Sequence, residues 1–141
     1  MPSDYWWFLE TYGTGSIGGD LVVFTPSSEL ERWNAAAQQQ RIGDHLRLVH
    51  EHRPGSIPFP IHPEPGGLLA WGGTHAGVKC LWLTSGDDPD LWPIVIRDAD
   101  RSEWFTHRGP IAWFLADIMD GAEHISFLPG EAARRRFEPA R

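Results

Sequence analysis

The sequence predicts an α+β fold, a single domain over residues 1–141 with a sheet flanked by N-terminal and C-terminal helices. Stretches with one apolar helical face lie near residues 4–12 and 111–119. Between them, strand-like runs occur at 21–24, 68–71, 78–83 and 93–97. The matched faces imply that these runs pair into one sheet and that the two helices cover it. A chain of 141 residues is close to the usual size of one domain and can build a core without metal or disulfide staples.

The first helix has Ser3 or Asp4 as its expected cap. Tyr5, Phe8, Leu9 and Tyr12 follow the i, i+3, i+4, i+7 spacing of one face, and Gly13 stops the helix. Trp7 falls on the opposite side and Trp6 on the border. Leu21–Phe24 reads as a strand ended by Pro26. Ser28, with Glu31 three residues on, has the form of a capping box and predicts a second helix through Trp33 and Asn34 to about Arg41. Alternation at Leu46, Leu48 and His50 suggests a short strand within 43–54.

The centre is β-rich. Ile57-Pro58-Phe59-Pro60-Ile61 suits an edge or irregular strand. Gly66-Gly67 turns the chain into Leu68–Trp71, which a loop joins to Val78–Leu83 as a hairpin. A turn at 86–90 precedes strands at Trp92–Ile96 and Glu103–Phe105. Gly109-Pro110 opens the last clear helix, with Ile111, Phe114, Leu115 and Ile118 on one face, Trp113 on the other, and Gly121 at its end. The tail from Glu131 to Arg141, with Arg134-Arg135-Arg136 and Phe137, reads as a frayed helix.

Twelve basic and nineteen acidic residues give a net charge of −7. An acidic chain is repelled by phosphate backbones, which argues against nucleic acid as a partner and favours a basic protein. Cys80 is the only cysteine, so no internal disulfide forms, and a reducing cytoplasm is the expected location. The N-terminal residues have no signal-peptide pattern, and no apolar run is long enough to span a membrane.

Several patterns resemble chemical motifs and fail on spacing. Gly13, Gly15 and Gly18 match G-x-G-x-x-G, but a helix precedes them and a strand follows, the reverse of a dinucleotide site. His45, His50, His52, His62 and His75 match no zinc spacing; His50 and His52 share a side only if they lie on a strand. Asp87, Asp88 and Asp90 lack the glycine and distal glutamate of a calcium loop. Cys80 reads as an inert buried thiol. No catalytic residue, metal or cofactor is expected. There are eight tryptophans. Trp33, Trp71, Trp82 and Trp92 lie in patterned elements and are expected in the core, whereas Trp7 and Trp113 lie off their helices' apolar faces. Each of those two either belongs to an interface or is covered by another element, burial against the rest of the fold being the expectation for either one alone.

Pro2-x-Asp4-Tyr5-x-x-Phe8-Leu9-x-x-Tyr12-Gly13-x-Gly15-Ser16-Ile17 resembles the opening of the SUKH superfamily, the Smi/Knr-type domains. Gly66-Gly67-Leu68-Leu69-Ala70-Trp71-Gly72 is similar to that family's central hairpin. Asp88-Pro89-Asp90-x-Trp92-Pro93-Ile94-Val95 resembles the strand that follows, and Phe114, Leu115 and Gly121 its closing helix. The likeness covers roughly 2–121 and leaves 122–141 as a tail. Family members usually begin with a further helix, so that either the start of this sequence is late or that helix is missing; its absence would expose part of the first helix, Trp7 included. The resemblance implies a mixed, largely antiparallel sheet. It also implies a bacterial immunity protein that binds and neutralises a secreted toxin, often a nuclease.

These readings combine into expectations about surfaces. Asp87, Asp88, Asp90, Asp98 and Asp100 would face a basic toxin, with Trp104 and Trp113 as aromatic anchors. Trp7 would anchor a homodimer. An alternative is a small-molecule or catalytic site in an aromatic pocket of Trp71, Trp82 and Trp92 with His62 or His75; another is a regulatory scaffold.

Overall fold

The computed structural model describes residues 2–13, 15–17, 21–26, 28–30, 33–55, 57–74, 77–98, 103–107, 111, 113–115 and 137–139, with the backbone alone at 17, 98, 103 and 137–139. Helix α1 spans Ser3–Tyr12 and buries Tyr5 and Phe8. It ends at Gly13, whose φ of +75° is cheap only without a Cβ and whose amide donates to the Leu9 carbonyl at 2.8 Å. The expected cap is not used: Pro2 occupies the cap position, with no side-chain cap of its own. Ser3 therefore begins the helix proper.

Strands β1 (Gly15–Ile17) and β2 (Leu21–Val23) follow, then helix α2 (Ala35–His52). Next come strands β3 (Leu68–Gly73) and β4 (Val78–Leu83) and a 3₁₀ turn at Pro89–Leu91. Strands β5 (Ile94–Asp98), β6 (Glu103–His107) and β7 (Phe137–Pro139) complete the order. One seven-stranded sheet runs β6-β5-β4-β3-β2-β1-β7. Every pairing between these strands is antiparallel. Isolated bridges Thr25–Asn34 and Ile61–Leu68 are parallel. The expected hairpin of β3 and β4 is present, with a register shift between Ala70 and Gly72.

Four local expectations are corrected. The box at Ser28 does not open a helix: Ser28 Oγ accepts from the Leu30 amide within a bend, and Glu31 lies outside the described residues. Thr25 instead takes up the chain at 33–35. Its amide donates to the Trp33 carbonyl, and its carbonyl accepts from the Ala35 amide. That pairing keeps Asn34 extended, so Asn34 becomes the cap, its Oδ1 accepting from the Ala37 amide at 2.9 Å.

The strand expected within 43–54 is the second half of α2. Leu46 is buried, whereas Leu48 is exposed, so the apparent alternation carried no face. Ile42, Leu46 and the half-buried Val49 line the helix's inner side at helical spacing. The run Ile57–Ile61 forms no strand. Ile57 and Ile61 are buried, but Pro58 and Pro60 have no amide to give a ladder, and one bridge at Ile61 is all that forms. In the tail, residues 137–139 are strand rather than helix: β7 pairs with β1, Ser16 opposite Glu138. This pairing satisfies backbone groups that the β1 edge would leave open.

The sheet is covered on both faces. On one, α1 and the helical residues at 111 and 113–115 bury Tyr5, Phe8, Ile111, Phe114 and Leu115 against Trp71, Val78, Cys80, Trp82, Ile94 and Ile96. The N-terminal and C-terminal helical segments thus cover the same side, as their apolar faces require. On the other, α2 and residues 57–61 bury Ile42, Leu46, Ile57 and Ile61 against Leu68, Ala70, Leu81 and Val95. Residues 109, 110 and 116–121, expected to open, continue and end the last helix, lie outside the described residues. Among the described residues, no helix is long and apolar enough to cross a membrane.

Candidate functional site

The acidic turn and α1 meet through one carboxylate. Asp90 Oδ1 accepts from the Ser3 amide at 2.6 Å and from the Ser3 hydroxyl at 2.8 Å. Asp90 thereby supplies, from far along the chain, the cap that the start of α1 lacks. These two donors hold its carboxyl below the usual carboxylate range. Asp88 Oδ1 accepts from the Asp90 amide at 3.0 Å and caps the 3₁₀ turn. Trp92 closes that turn rather than starting a strand, its indole N–H donating to the Gly86 carbonyl at 3.1 Å.

The Ser3–Asp90 contact brings the acidic turn to a helix that carries exposed apolar groups. Trp7 is 54% exposed, and Trp6, Tyr12 and Leu91 are also exposed. Tyr12, expected on the buried face, packs its ring 4.9 Å from Phe8 and stays partly in water. Asp87, Asp88 and Glu10 are exposed, and α1 contains no basic residue. Trp113, 70% exposed, projects from the other segment that covers this side of the sheet.

The remaining acidic candidates divide. Asp98 ends β5 opposite Glu103, and the structure describes only its backbone. Asp100 lies outside the described residues, as do His75 and Gly18. Trp104 is not beside Trp113. It lies on the α2 side of the sheet, half-buried, edge-on to Phe59 at 5.8 Å and 5.5 Å from the Arg97 guanidinium carbon.

The aromatic trio of the alternative reading is core. Trp71 and Trp82 are each about 1% exposed, with ring centroids 6.2 Å apart, and Trp92 packs 6.3 Å from Trp82. Phe114 and Tyr5 close the same cluster edge-on. His62 is on the opposite side of the sheet, beside Ile61, its carbonyl accepting from Arg47 at 2.8 Å. The structure therefore does not bring His62 to these tryptophans. Trp33 is likewise buried. His50 and His52 lie two apart on a helix, so they do not share a side. Among the described residues, no group of three or more His, Cys, Asp or Glu side chains could hold a metal ion. Cys80 is fully buried, and burial pushes its thiol far up, which removes the thiolate a nucleophile needs.

No family model matches the chain, and neither a curated protein nor a solved structure does.

Sequence reasoning missed the exposed Trp6, Tyr12, Leu91 and Phe105. Leu91 had a readable signal, a lone large aliphatic side chain inside an acidic turn.

Proposed function

We propose that this chain is a protein-binding module of the immunity type, which neutralises a basic toxin in the bacterial cytoplasm by stoichiometric binding rather than by catalysis. The observation that carries this reading is the Ser3–Asp90 contact. It holds the acidic turn against the start of a helix whose outer side exposes Trp6 and Trp7. Exposed aromatic surface rimmed by acids is the pattern of a binding patch, with aromatics supplying affinity and charge supplying encounter rate. Net charge −7 and the absence of a basic residue on α1 fit a basic occupant. The resemblance to SUKH domains supports the same class.

The test is co-expression with any toxin-like protein encoded beside this chain. Wild type should rescue growth and bind, with association slowing as salt screens charges over roughly 8–10 Å. Trp7→Ser should abolish rescue, and Asp87→Asn with Asp88→Asn should slow association. No rescue, with no binding at low salt, removes the reading. A wild-type dimer that Trp7→Ser turns into a monomer would give this surface to a second copy instead.

A further inference from the structure

On the α2 side of the sheet, the register sets Lys79 of β4 directly opposite Arg97 of β5. Like charges opposite one another on a sheet face repel, and a buried cation is costly unless its donors are filled. Arg97 is only 7% exposed, and its Nε and Nη1 are buried with no hydrogen-bond partner among the described residues. Its cross-strand neighbour Trp104 takes the cation against its ring, but a ring face does not accept those two N–H groups.

Helix α2 adds charge of the same sign. Arg41 and His45 stand one turn apart at its solvent edge. Burial, and after it Arg41 and Arg97, favours the neutral form of Lys79. Burial, then Arg97 and Lys79, does the same to His45. Arg41, Lys79 and Arg97, with His45 in its favoured neutral form, are therefore within electrostatic reach of one another across α2, β4 and β5. Among the described residues, no carboxylate offsets these cations at His45 or Lys79. Asp44, the acid nearest along α2, pairs with Arg47 at 3.3 Å.

We propose that Arg41, His45, Lys79 and Arg97 form a binding site for a small oxyanion of the phosphate type, with Trp104 and Phe59 as its apolar wall. An oxyanion accepts several charge-assisted hydrogen bonds at once and would fill the donors that Arg97 leaves open. The adjoining aromatic wall suits a phosphate monoester with a flat organic group as well as the free anion. The site lies on the opposite side of the sheet from the aromatic surface around Trp7, so it stands or falls apart from the reading above.

The experiment is calorimetric titration of the purified chain at constant ionic strength in chloride, with inorganic phosphate and phenyl phosphate as probes. One equivalent of each should bind, phenyl phosphate more tightly, and phosphate should raise the melting temperature where equal chloride does not. Arg41→Gln, at an exposed position, should weaken binding about tenfold, equivalent to about 1.4 kcal/mol. Lys79→Met should do the same, and circular dichroism checks that both variants are folded. Equal affinity for the two probes keeps the oxyanion site and assigns it to the free anion. Phosphate acting no differently from chloride, or binding unchanged in folded Arg41→Gln and Lys79→Met, overturns the proposal.

Discussion

Asp90 Oδ1 accepts both the amide and the hydroxyl of Ser3, at 2.6 and 2.8 Å. The start of α1 is thus fastened by a residue from the turn before β5. Asp90→Ala should leave the sheet intact and loosen the first turn of α1. Amide exchange at Tyr5 and Trp6 should speed up while exchange in β4 stays unchanged. The depressed carboxyl makes this contribution present above the ordinary 3.8 and lost as pH falls through the lower folded value. The variant should therefore lack that part of the acid transition. Unchanged exchange in α1 would show that the contact holds nothing.

Tyr5 is completely buried and its hydroxyl donates to the Phe24 carbonyl at 2.5 Å. Tyr5→Phe strands that carbonyl in the core and should cost about 1–3 kcal/mol by urea denaturation. Burial holds the Tyr5 phenol far above its ordinary 10.0. As pH rises through 10, the unfolded chain ionises first, so wild-type stability falls from there. Cys80 adds a loss of the same sign from its ordinary 9.0 in both proteins, so the difference between the two pH curves isolates Tyr5. Parallel curves above pH 10 would contradict this.

At Gly72, a Cβ would stand 2.7 Å from the Val22 carbonyl oxygen, inside contact distance of backbone that cannot turn aside. Gly72→Ala should therefore force β2 and β3 apart and cost about 1–3 kcal/mol. A denaturation midpoint equal to wild type would show that the β3 irregularity absorbs the methyl group.

Trp7 and Trp113 give the opposite expectation for stability. Both are more than half exposed, so Trp7→Ser and Trp113→Ser should each change folding stability by less than about 0.5 kcal/mol. Trp82→Ala, from the centre of the core, should cost about 3–5 kcal/mol. A large loss on replacing Trp7 would mean that it supports the fold rather than a surface.

The sequence by itself determined the elements with a strong local period. Tyr5 and Phe8 mark the inner face of α1, Gly13 its end, and the alternation of Val78, Cys80 and Trp82 against Leu81 the two sides of β4. It also set Trp7 and Trp113 off the apolar faces of their helices, because a helical wheel needs no tertiary information, but that both stay more than half exposed was decided by the tertiary structure. Where a short window suited both periods, as at Leu46, Leu48 and His50, it could not choose. Packing chose the helix, since α2 must cover Leu68, Leu81 and Val95. Tertiary structure alone decided where α2 starts, because Thr25 holds residues 33–35 from outside the helix. It alone added β7 to the β1 edge, a pairing of short segments more than a hundred residues apart. Likewise, no spacing in the chain announces that Asp90 caps Ser3, or that Lys79 faces Arg97. Both follow from which strands become neighbours, a long-range choice made by burying apolar faces rather than by any local signal.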